Sequence, residues 1–194
     1  MMPVDNTTGY NQTDQQMVER VLRGDTQAFG GIIRHTERLV TQIVYKMITR
    51  EEDRRDILQD VYMKAFTHLP GFKFQARLST WIGQIAYNAC MSHLQRRKLI
   101  LPGTWPEQTA PYGGNPDDDS GIRPGDLSGI LAGEIGKLPP VYRTLIVLYH
   151  QEDLSYADIA HVTGLPEGTV KSYLFRARKT LKDNLSAQYK KEEL

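Results

Sequence analysis

Apolar residues recur every three or four positions through most of the chain, which is the spacing of an amphipathic α-helix. The first such segment follows Thr13, whose pairing with Gln16 resembles a capping box, and it ends at Gly24. The next begins where Asp25 or Thr26 can cap a helix N-terminus. The pattern therefore predicts two successive helices in the first fifty residues.

Two more helices follow in the same half of the chain. One is predicted to begin in the acidic segment Glu51–Asp53, because negative charge stabilises a helix N-terminus. Its inward-facing residues are predicted to be Ile57, Leu58, Val61, Tyr62, Ala65 and Phe66. The other follows Pro70 and Gly71, with Ser79 or Thr80 as its cap. Since no long stretch alternates with a period of two, this half is predicted to be an all-α bundle.

Residues 101–126 are rich in Pro, Gly and Asp and show no period, which indicates a linker. Helical patterns resume over Leu127–Leu138 and Val141–Tyr149, with two more helices beyond. The predicted fold class is all-α, with two small helical domains, residues 10–98 and 127–190. A flexible acidic linker, residues 99–126, joins them.

The strongest local signal lies in the segment Leu154–Leu181. Ser155 and Asp158 form a capping box at the start of a short helix. Gly164 stands where the chain must turn with a positive φ, and Val170 follows at the offset that packs back on the first helix. This spacing is typical of a helix-turn-helix.

The second helix of this motif carries a basic outward face with an unusual aromatic residue in it. That face is predicted to contain Lys171, Ser172, Phe175, Arg176 and Lys179. Basic and hydroxyl groups reach base edges or phosphates, and a phenylalanine can contact thymine methyl groups. The pattern favours a duplex-DNA reader over a merely solvated helix.

Composition adds constraints rather than a function. The 194 residues include 24 Lys and Arg against 23 Asp and Glu, 40% apolar residues and one cysteine, Cys90. Because no apolar stretch nears the ~20 residues of a membrane helix and no signal peptide is visible, we expect a cytoplasmic protein. The five histidines show no metal-ligand spacing, so no metal or other cofactor is expected, and Cys90 is predicted to lie in the core.

Residues 69–98 interleave aromatic and basic side chains. The aromatic members are Phe72, Phe74, Trp81 and Tyr87, and the basic ones are Lys73, Arg77, Arg96, Arg97 and Lys98. Aromatic rings stack on exposed bases while cations follow phosphates, which is how proteins hold single strands. Taken alone, the pattern is explained as well or better by rings that fill a bundle core.

The order of these segments resembles the extracytoplasmic-function sigma factors of bacterial RNA polymerase. Asp56–Phe66 is similar to the family's polymerase-clamp helix, and Phe72–Asn88 to its promoter −10 segment. Leu138–Leu181 is similar to its −35 reader, and the resemblance spans roughly residues 14–185. Ser92 stands where the family usually has an acid, and Arg54 and Arg55 are also uncommon at their positions.

The resemblance implies roles for the residues of each segment. The −35 element would be read as duplex by Lys171, Ser172, Phe175, Arg176 and Lys179. The −10 element would be bound as single strand by Lys73, Phe74, Arg77, Asn88, Arg96, Arg97 and Lys98. Core polymerase would be bound through Asp56, Gln59, Asp60 and Lys64.

The implied partners are promoter DNA, core polymerase through its β′ clamp helices and β flap, and an anti-sigma factor. One alternative is a polymerase-independent helix-turn-helix regulator with a sensing or dimerising bundle, which would not need the aromatic and basic block. Another is an enzyme acting on nucleic acid, but the sequence offers no catalytic constellation. We expect a protein that is not an enzyme.

Overall fold

The computed structural model describes residues 7–97 and 127–192, with side-chain surroundings for 13–97 and 129–187. These residues form eight α-helices and two short 3₁₀ turns. The helices are α1 Thr7–Leu22, α2 Phe29–Met47, α3 Glu51–His68, α4 Leu78–Arg96, α5 Leu127–Lys137, α6 Pro140–His150, α7 Tyr156–Thr163 and α8 Glu167–Glu192. The all-α prediction is confirmed. The predicted linker and Lys98 lie outside the described residues.

The N-terminal bundle is built on α2, which packs against α1, α3 and α4. The apolar face of α2 is buried, with Ile32, Ile43 and Met47 fully inaccessible. Asp25 caps the 3₁₀ turn before α2, where its Oδ1 accepts from the Ala28 N–H at 3.1 Å. The predicted capping box at Thr13 is wrong, because α1 begins at Thr7 and Thr13 lies inside it.

The start of α4 also differs from the prediction that Ser79 or Thr80 caps it. The first N–H of the helix, that of Leu78, donates to Oδ2 of Asp14 at 2.8 Å. The Asp14 carboxylate is buried, and its other oxygen lies 3.4 Å from His35 Nε2. The cap therefore comes from α1 through tertiary packing, which a local pattern cannot show.

One residue of α3 that was predicted to face inward is exposed instead. Phe66, predicted to face inward, is 44% exposed and meets Phe29 edge to face at 5.1 Å. The buried residue of α3 that was not predicted is Arg54, whose Nε donates to the Ile48 carbonyl at 2.7 Å. Arg54 thus satisfies a carbonyl at the end of α2, which is a structural role.

The helix-turn-helix forms as predicted. Ser155 and Asp158 make a reciprocal capping box, and Gly164 ends α7 with φ 71°. Val170 is fully buried beneath the turn. The motif is therefore specified by contacts within one short stretch of chain.

The N-terminal and C-terminal bundles pack directly on each other, α2 against α6 and α4 against α7. Every residue from Pro140 to Leu148 is buried, which is expected of a helix covered on all sides. Among the described residues, no helix is both long and apolar enough to cross a membrane.

Candidate nucleic-acid interface

The outward face of α8 presents a continuous polar and aromatic surface. Its members Lys171, Ser172, Phe175, Arg176 and Lys179 are all exposed. Phe175 is 68% exposed, whereas its neighbours Tyr173 and Leu174 are buried on the opposite face. A ligand that covered the Phe175 ring would remove this apolar area from water, which favours binding.

A cluster at the foot of this face was missed by the sequence reasoning. Tyr149 and Tyr156 stack with centroids 5.1 Å apart. The Arg178 guanidinium lies 4.9 Å from the Tyr149 ring, and Lys171 Nζ lies 5.3 Å from the Tyr156 ring. These contacts restrict Lys171, which belongs to the predicted reading face, and Arg178, which lies beside it. The two tyrosines belong to different helices, so spacing along the chain gave no signal for the stack.

The loop before α4 gathers the predicted single-strand residues Lys73, Phe74 and Arg77. Phe72 is buried and contacts both Phe74 and Trp81, with ring centroids 4.7 and 4.9 Å apart. Phe74 has φ 55°, a left-handed conformation that is rare for a residue with a side chain. The packed rings hold the loop in this shape and leave Lys73 and Arg77 exposed.

A cavity of about 190 Å³ opens beside this loop. It is lined by Lys73, Gln75, Trp81 and Gln84, together with the buried Thr80. Thr80 Oγ1 has no hydrogen-bond partner within the described part of the chain. A buried hydroxyl left unpaired carries a desolvation cost, and a base that displaced the side chains covering Oγ1 would remove that cost by hydrogen bonding to it.

The remaining predicted −10 residues lie along α4 beyond this cavity. Asn88 is exposed one turn past Gln84 of the cavity wall, or ~6 Å at 1.5 Å per residue. Arg96 and Arg97 are exposed at the far end of the helix, where Arg97 also pairs with Asp53 at 3.1 Å. These residues line an extended track along α4 rather than one pocket.

Tyr87 is not available for stacking, because it is 5% exposed. Burial raises the pKa of its phenol, and the nearby Tyr173 adds to that rise. Its inclusion among the strand-facing aromatic residues is therefore wrong. The ring belongs to the core between α4 and α8.

The predicted polymerase-binding residues lie on a third surface. Asp56, Gln59, Asp60 and Lys64 are exposed on α3, where Lys64 Nζ donates to Asp60 Oδ2 at 2.7 Å. Two apolar neighbours, Met63 and Phe66, are 62% and 44% exposed on the same helix. The sequence did not indicate Met63, because it stands alone among the polar residues of this face and outside the helix's apolar stripe.

The histidines and the cysteine do not form a reactive site. No cluster of three or more His, Cys, Asp or Glu residues among those described could hold a metal ion. His93 lies 3.5 Å from Asp53, and burial lowers the pKa of this imidazole despite the carboxylate. Cys90 is buried as predicted, and that burial raises the pKa of its thiol to about 12.

Comparison with known proteins finds family matches in two separate parts of the chain. Two family models match: "Sigma-70 region 2" over residues 32–100, which includes the loop and α4, and "Sigma-70, region 4" over residues 129–181, which includes α6 to α8. The matches define the class as sigma-70-type initiation factors.

Relatives across nearly the whole chain narrow this class. The RNA polymerase sigma-H factor of Pseudomonas aeruginosa is 31% identical over 180 residues, covering 88% of this chain and 92% of that protein. The ECF RNA polymerase sigma-E factor of Haemophilus influenzae is 30% identical, covering 89% and 95%. SigW, an ECF sigma factor of Bacillus subtilis, is 29% identical, covering 88% and 96%. The chain belongs to the extracytoplasmic-function sigma factors of bacterial RNA polymerase.

Solved structures share the fold. CnrH, solved in complex with the cytosolic domain of CnrY, matches with a TM-score of 0.62 and 22% identity, covering 90% of this chain and 97% of that one. RpoE of Bartonella quintana, solved with the anti-sigma factor NepR, matches with a TM-score of 0.59 and 22% identity, covering 81% and 96%. Family membership assigns the chain to promoter-specific transcription initiation, and it decides against a polymerase-independent regulator.

Proposed function

We propose that the three exposed surfaces divide the work of initiation among them. The α3 face binds core RNA polymerase, the α8 face reads the −35 element as duplex, and the loop before α4 captures the melted −10 element. The protein contributes binding energy and no catalytic step of its own, and it acts in the cytoplasm, where the polymerase and its template are.

Binding to the polymerase is supported by the mixed character of the α3 face. Met63 and Phe66 offer apolar area that a partner would remove from water, at about 25 cal/mol per Å². Asp56 and Asp60 beside them favour a basic partner surface and disfavour DNA phosphates. This combination suits a protein interface better than a nucleic-acid one, and we assign it to the β′ clamp helices; the β flap is the proposed partner of the C-terminal bundle.

Duplex reading is supported by the exposure of Lys171, Phe175 and Arg176 on one helix face. The α8 helix is narrow enough to enter the major groove, where a good contact to a base edge discriminates by ~1–3 kcal/mol. Lys179 lies further along the helix, where it suits a phosphate.

Strand capture is supported by the cavity at Thr80, and this is the observation that carries the proposal. Its volume of about 190 Å³ is below the ~300–1,000 Å³ of pockets for drug-sized ligands, which suits a single flipped base. Trp81 and Phe72 supply ring surfaces, and Thr80 and Gln84 supply hydrogen-bonding groups. These contacts would offset the few kcal/mol that base extrusion costs. Asn88, Arg96 and Arg97 would follow the strand beyond the pocket.

An anti-sigma factor is the proposed regulator. CnrH and RpoE, which share the fold, were each solved with a bound second protein, and NepR is described as an anti-sigma factor. The exposed apolar residues of α3 would be a natural target, because a protein that covers Met63 and Phe66 would also block the polymerase.

The test is reconstitution of initiation. The purified chain is added to bacterial core RNA polymerase on a genomic template, and transcript starts are mapped. We expect discrete starts, each preceded by the same pair of sequence elements, and none with core enzyme alone. Starts no more specific than those of core enzyme alone would refute the proposal.

A further inference from the structure

Two cations of α8 and two tyrosines form one continuous stack beside the DNA-reading face. Lys171 Nζ lies 5.3 Å from the centroid of the Tyr156 ring. The Tyr156 and Tyr149 rings are nearly parallel, at 13°, and the Arg178 guanidinium lies over Tyr149 at 4.9 Å. Each cation is within the ~6 Å at which the quadrupole of an aromatic ring attracts it. The order along the stack is therefore cation, ring, ring, cation.

The Arg178 guanidinium is also held from a second direction. Its Nε donates to Nε2 of His150 at 3.2 Å, and the His150 ring packs edge to face on Tyr149, with centroids 4.9 Å apart. An imidazole nitrogen that accepts a hydrogen bond is unprotonated, and burial together with the charge of Arg178 lowers the pKa of His150. Arg178 is thus fixed in place, while its terminal nitrogens still carry N–H donors that can bind an anion.

The stack lies on one flank of the outward face of α8. With 3.6 residues per turn, Lys171 and Arg178 are ~20° apart around the helix, whereas Phe175 is ~40° and Lys179 ~80° from Lys171. Arg176 is ~140° from Lys171, on the other flank. The contact with Tyr156 therefore turns the Lys171 side chain toward α7 and away from the centre of the face.

An α-helix in the major groove presents its centre and its flanks to different parts of the DNA. The groove is ~12 Å wide and a helix with its side chains is ~10–12 Å across, so the centre meets base edges and the flanks meet phosphates. Lys171 and Arg178 are ~10 Å apart along the helix axis, which allows them to contact two different phosphates of one groove wall. Phosphate contacts fix the register of the helix and carry no sequence information directly.

We propose that Tyr149 and Tyr156 are positioning residues, which hold Arg178 and Lys171 as ligands of the DNA backbone and exclude Lys171 from base reading. This proposal rests on the proposed reading of the −35 duplex by α8, and it reassigns Lys171 within that face. Base discrimination is left to the centre of the face and its other flank, at Ser172, Phe175 and Arg176. The stack sets the register in which those residues reach the base edges.

The first test separates backbone contacts from base contacts. Holoenzyme is assembled from core polymerase and the full chain, and its affinity is measured for duplexes from one mapped promoter that differ by single base pairs in the −35 element. We expect Lys171→Ala to weaken binding to every duplex by the same factor, ~fivefold to tenfold at about 0.1 M salt. The slope of log K against log salt should fall by ~0.9, the value for one phosphate contact. Arg178→Ala should behave in the same way.

Phe175→Ala is the contrasting variant in this assay. It removes a residue of the central face and no charge, so it should change the ratios between duplexes and leave the salt slope as it was. Denaturant unfolding and core polymerase binding establish that each variant is folded.

The second test asks whether the Tyr156 ring acts through Lys171. We expect Tyr156→Leu to lower the salt slope and to alter the ratios between duplexes, because Lys171 is released, whereas Tyr156→Phe keeps the ring and should retain both. In a chain that already carries Lys171→Ala, Tyr156→Leu should have no further effect on either quantity. Lys179→Ala removes a cation outside the stack, and in that background Tyr156→Leu should keep its full effect. The same cycle joins Tyr149→Leu to Arg178→Ala.

The outcomes distinguish three roles for these residues. If Lys171→Ala changed the preference at one base pair and left the others unaltered, Lys171 would be a base reader and the proposal would be wrong. Additive losses from Tyr156→Leu and Lys171→Ala would also overturn it, since the ring would then only support the fold. A holoenzyme of the unaltered chain that bound all the duplexes equally would refute the −35 role of α8 itself, and the positioning role with it.

Discussion

The two candidate DNA-binding regions of this sigma factor are built in different ways. The −35 reader depends on neighbours along the chain, since its capping box, its turn at Gly164 and its reading face all lie within residues 154–181. The −10 site depends on distant residues, because Asp14 of α1 caps α4 and His161 of α7 lines the cavity. A locally specified surface depends less on distant elements for its shape, whereas the −10 site changes when distant elements move. This difference makes the −10 site the natural place for control.

The largest effect is expected outside both DNA-binding regions, on the α3 face that we propose binds core polymerase. Asp60→Arg should weaken core polymerase binding by ~2–5 kcal/mol, because it places a positive charge against the basic partner surface that Asp60 is proposed to contact. The lost Asp60–Lys64 pair is exposed and contributes ≤ ~1 kcal/mol to folding. Binding of core enzyme by titration is the measurement, with duplex −35 binding as the control that should not change. Loss of both functions together would contradict the separation of surfaces.

The dependence of the −10 site on distant residues is tested by Asp14→Ala. This change leaves the buried Leu78 N–H without its acceptor, and we expect the free energy of unfolding to fall by ~2–3 kcal/mol. Capture of −10 single strands should weaken with it, since α4 and its loop lose their anchor, while the −35 face should be unaffected. Denaturant unfolding and oligonucleotide binding are the measurements.

Asp14→Asn is the matched control, because its carbonyl oxygen can still accept from Leu78. It should recover much of the lost stability. If both substitutions cost the same, the capping bond would not be the cause.

The features that could be predicted from the sequence are those set within one segment, and those that could not are set by packing between distant segments. The helix-turn-helix, its caps and its exposed Phe175 were predictable because they follow from spacing within one segment. The cap at Asp14, the stacked Tyr149 and Tyr156, and the outward Phe66 were not, because each depends on which helices meet. Periodicity gives the faces of helices but not their partners. For that reason it also gave no sign that the two bundles pack together.

The local character of the −35 reader is tested by Phe175→Ala. Because Phe175 is exposed and outside the core, stability should change by less than ~0.5 kcal/mol. Discrimination of the −35 duplex should fall by ~1–3 kcal/mol, with core polymerase binding unchanged. Competition between duplexes with and without the element measures this. A variant that loses stability instead would show that the ring packs rather than reads.

A smaller effect is expected for the unpaired hydroxyl of Thr80 in the candidate −10 cavity. Its removal should maintain or raise stability while it weakens strand binding. Thr80→Val removes Oγ1 at nearly constant shape, so the unfolding free energy should hold or rise by up to ~1 kcal/mol. Capture of the −10 strand should weaken, because the group proposed to bind the base is gone. Thr36→Val is the contrasting variant, since its hydroxyl already donates to Ile32 at 2.9 Å and its loss should not help stability. Strand binding unchanged by Thr80→Val would remove Thr80 from the site.

The smallest effect concerns pH and compares one histidine from each bundle. Burial lowers the pKa of both His93 and His150 below the ordinary value of 6.5, and nearby arginines lower it further. As pH falls through 6.5, the unfolded chain takes up protons before the folded one does, so stability present above that pH is lost below it.

His93→Gln and His150→Gln should each reduce the loss measured by denaturant unfolding between about pH 7.5 and about pH 5.5. The Asp53 carboxylate beside His93 attracts the protonated ring and so partly offsets the lowering of its pKa. A steeper loss of stability in either variant than in the original chain would mean that the protonated form, and not the neutral one, is favoured by the fold.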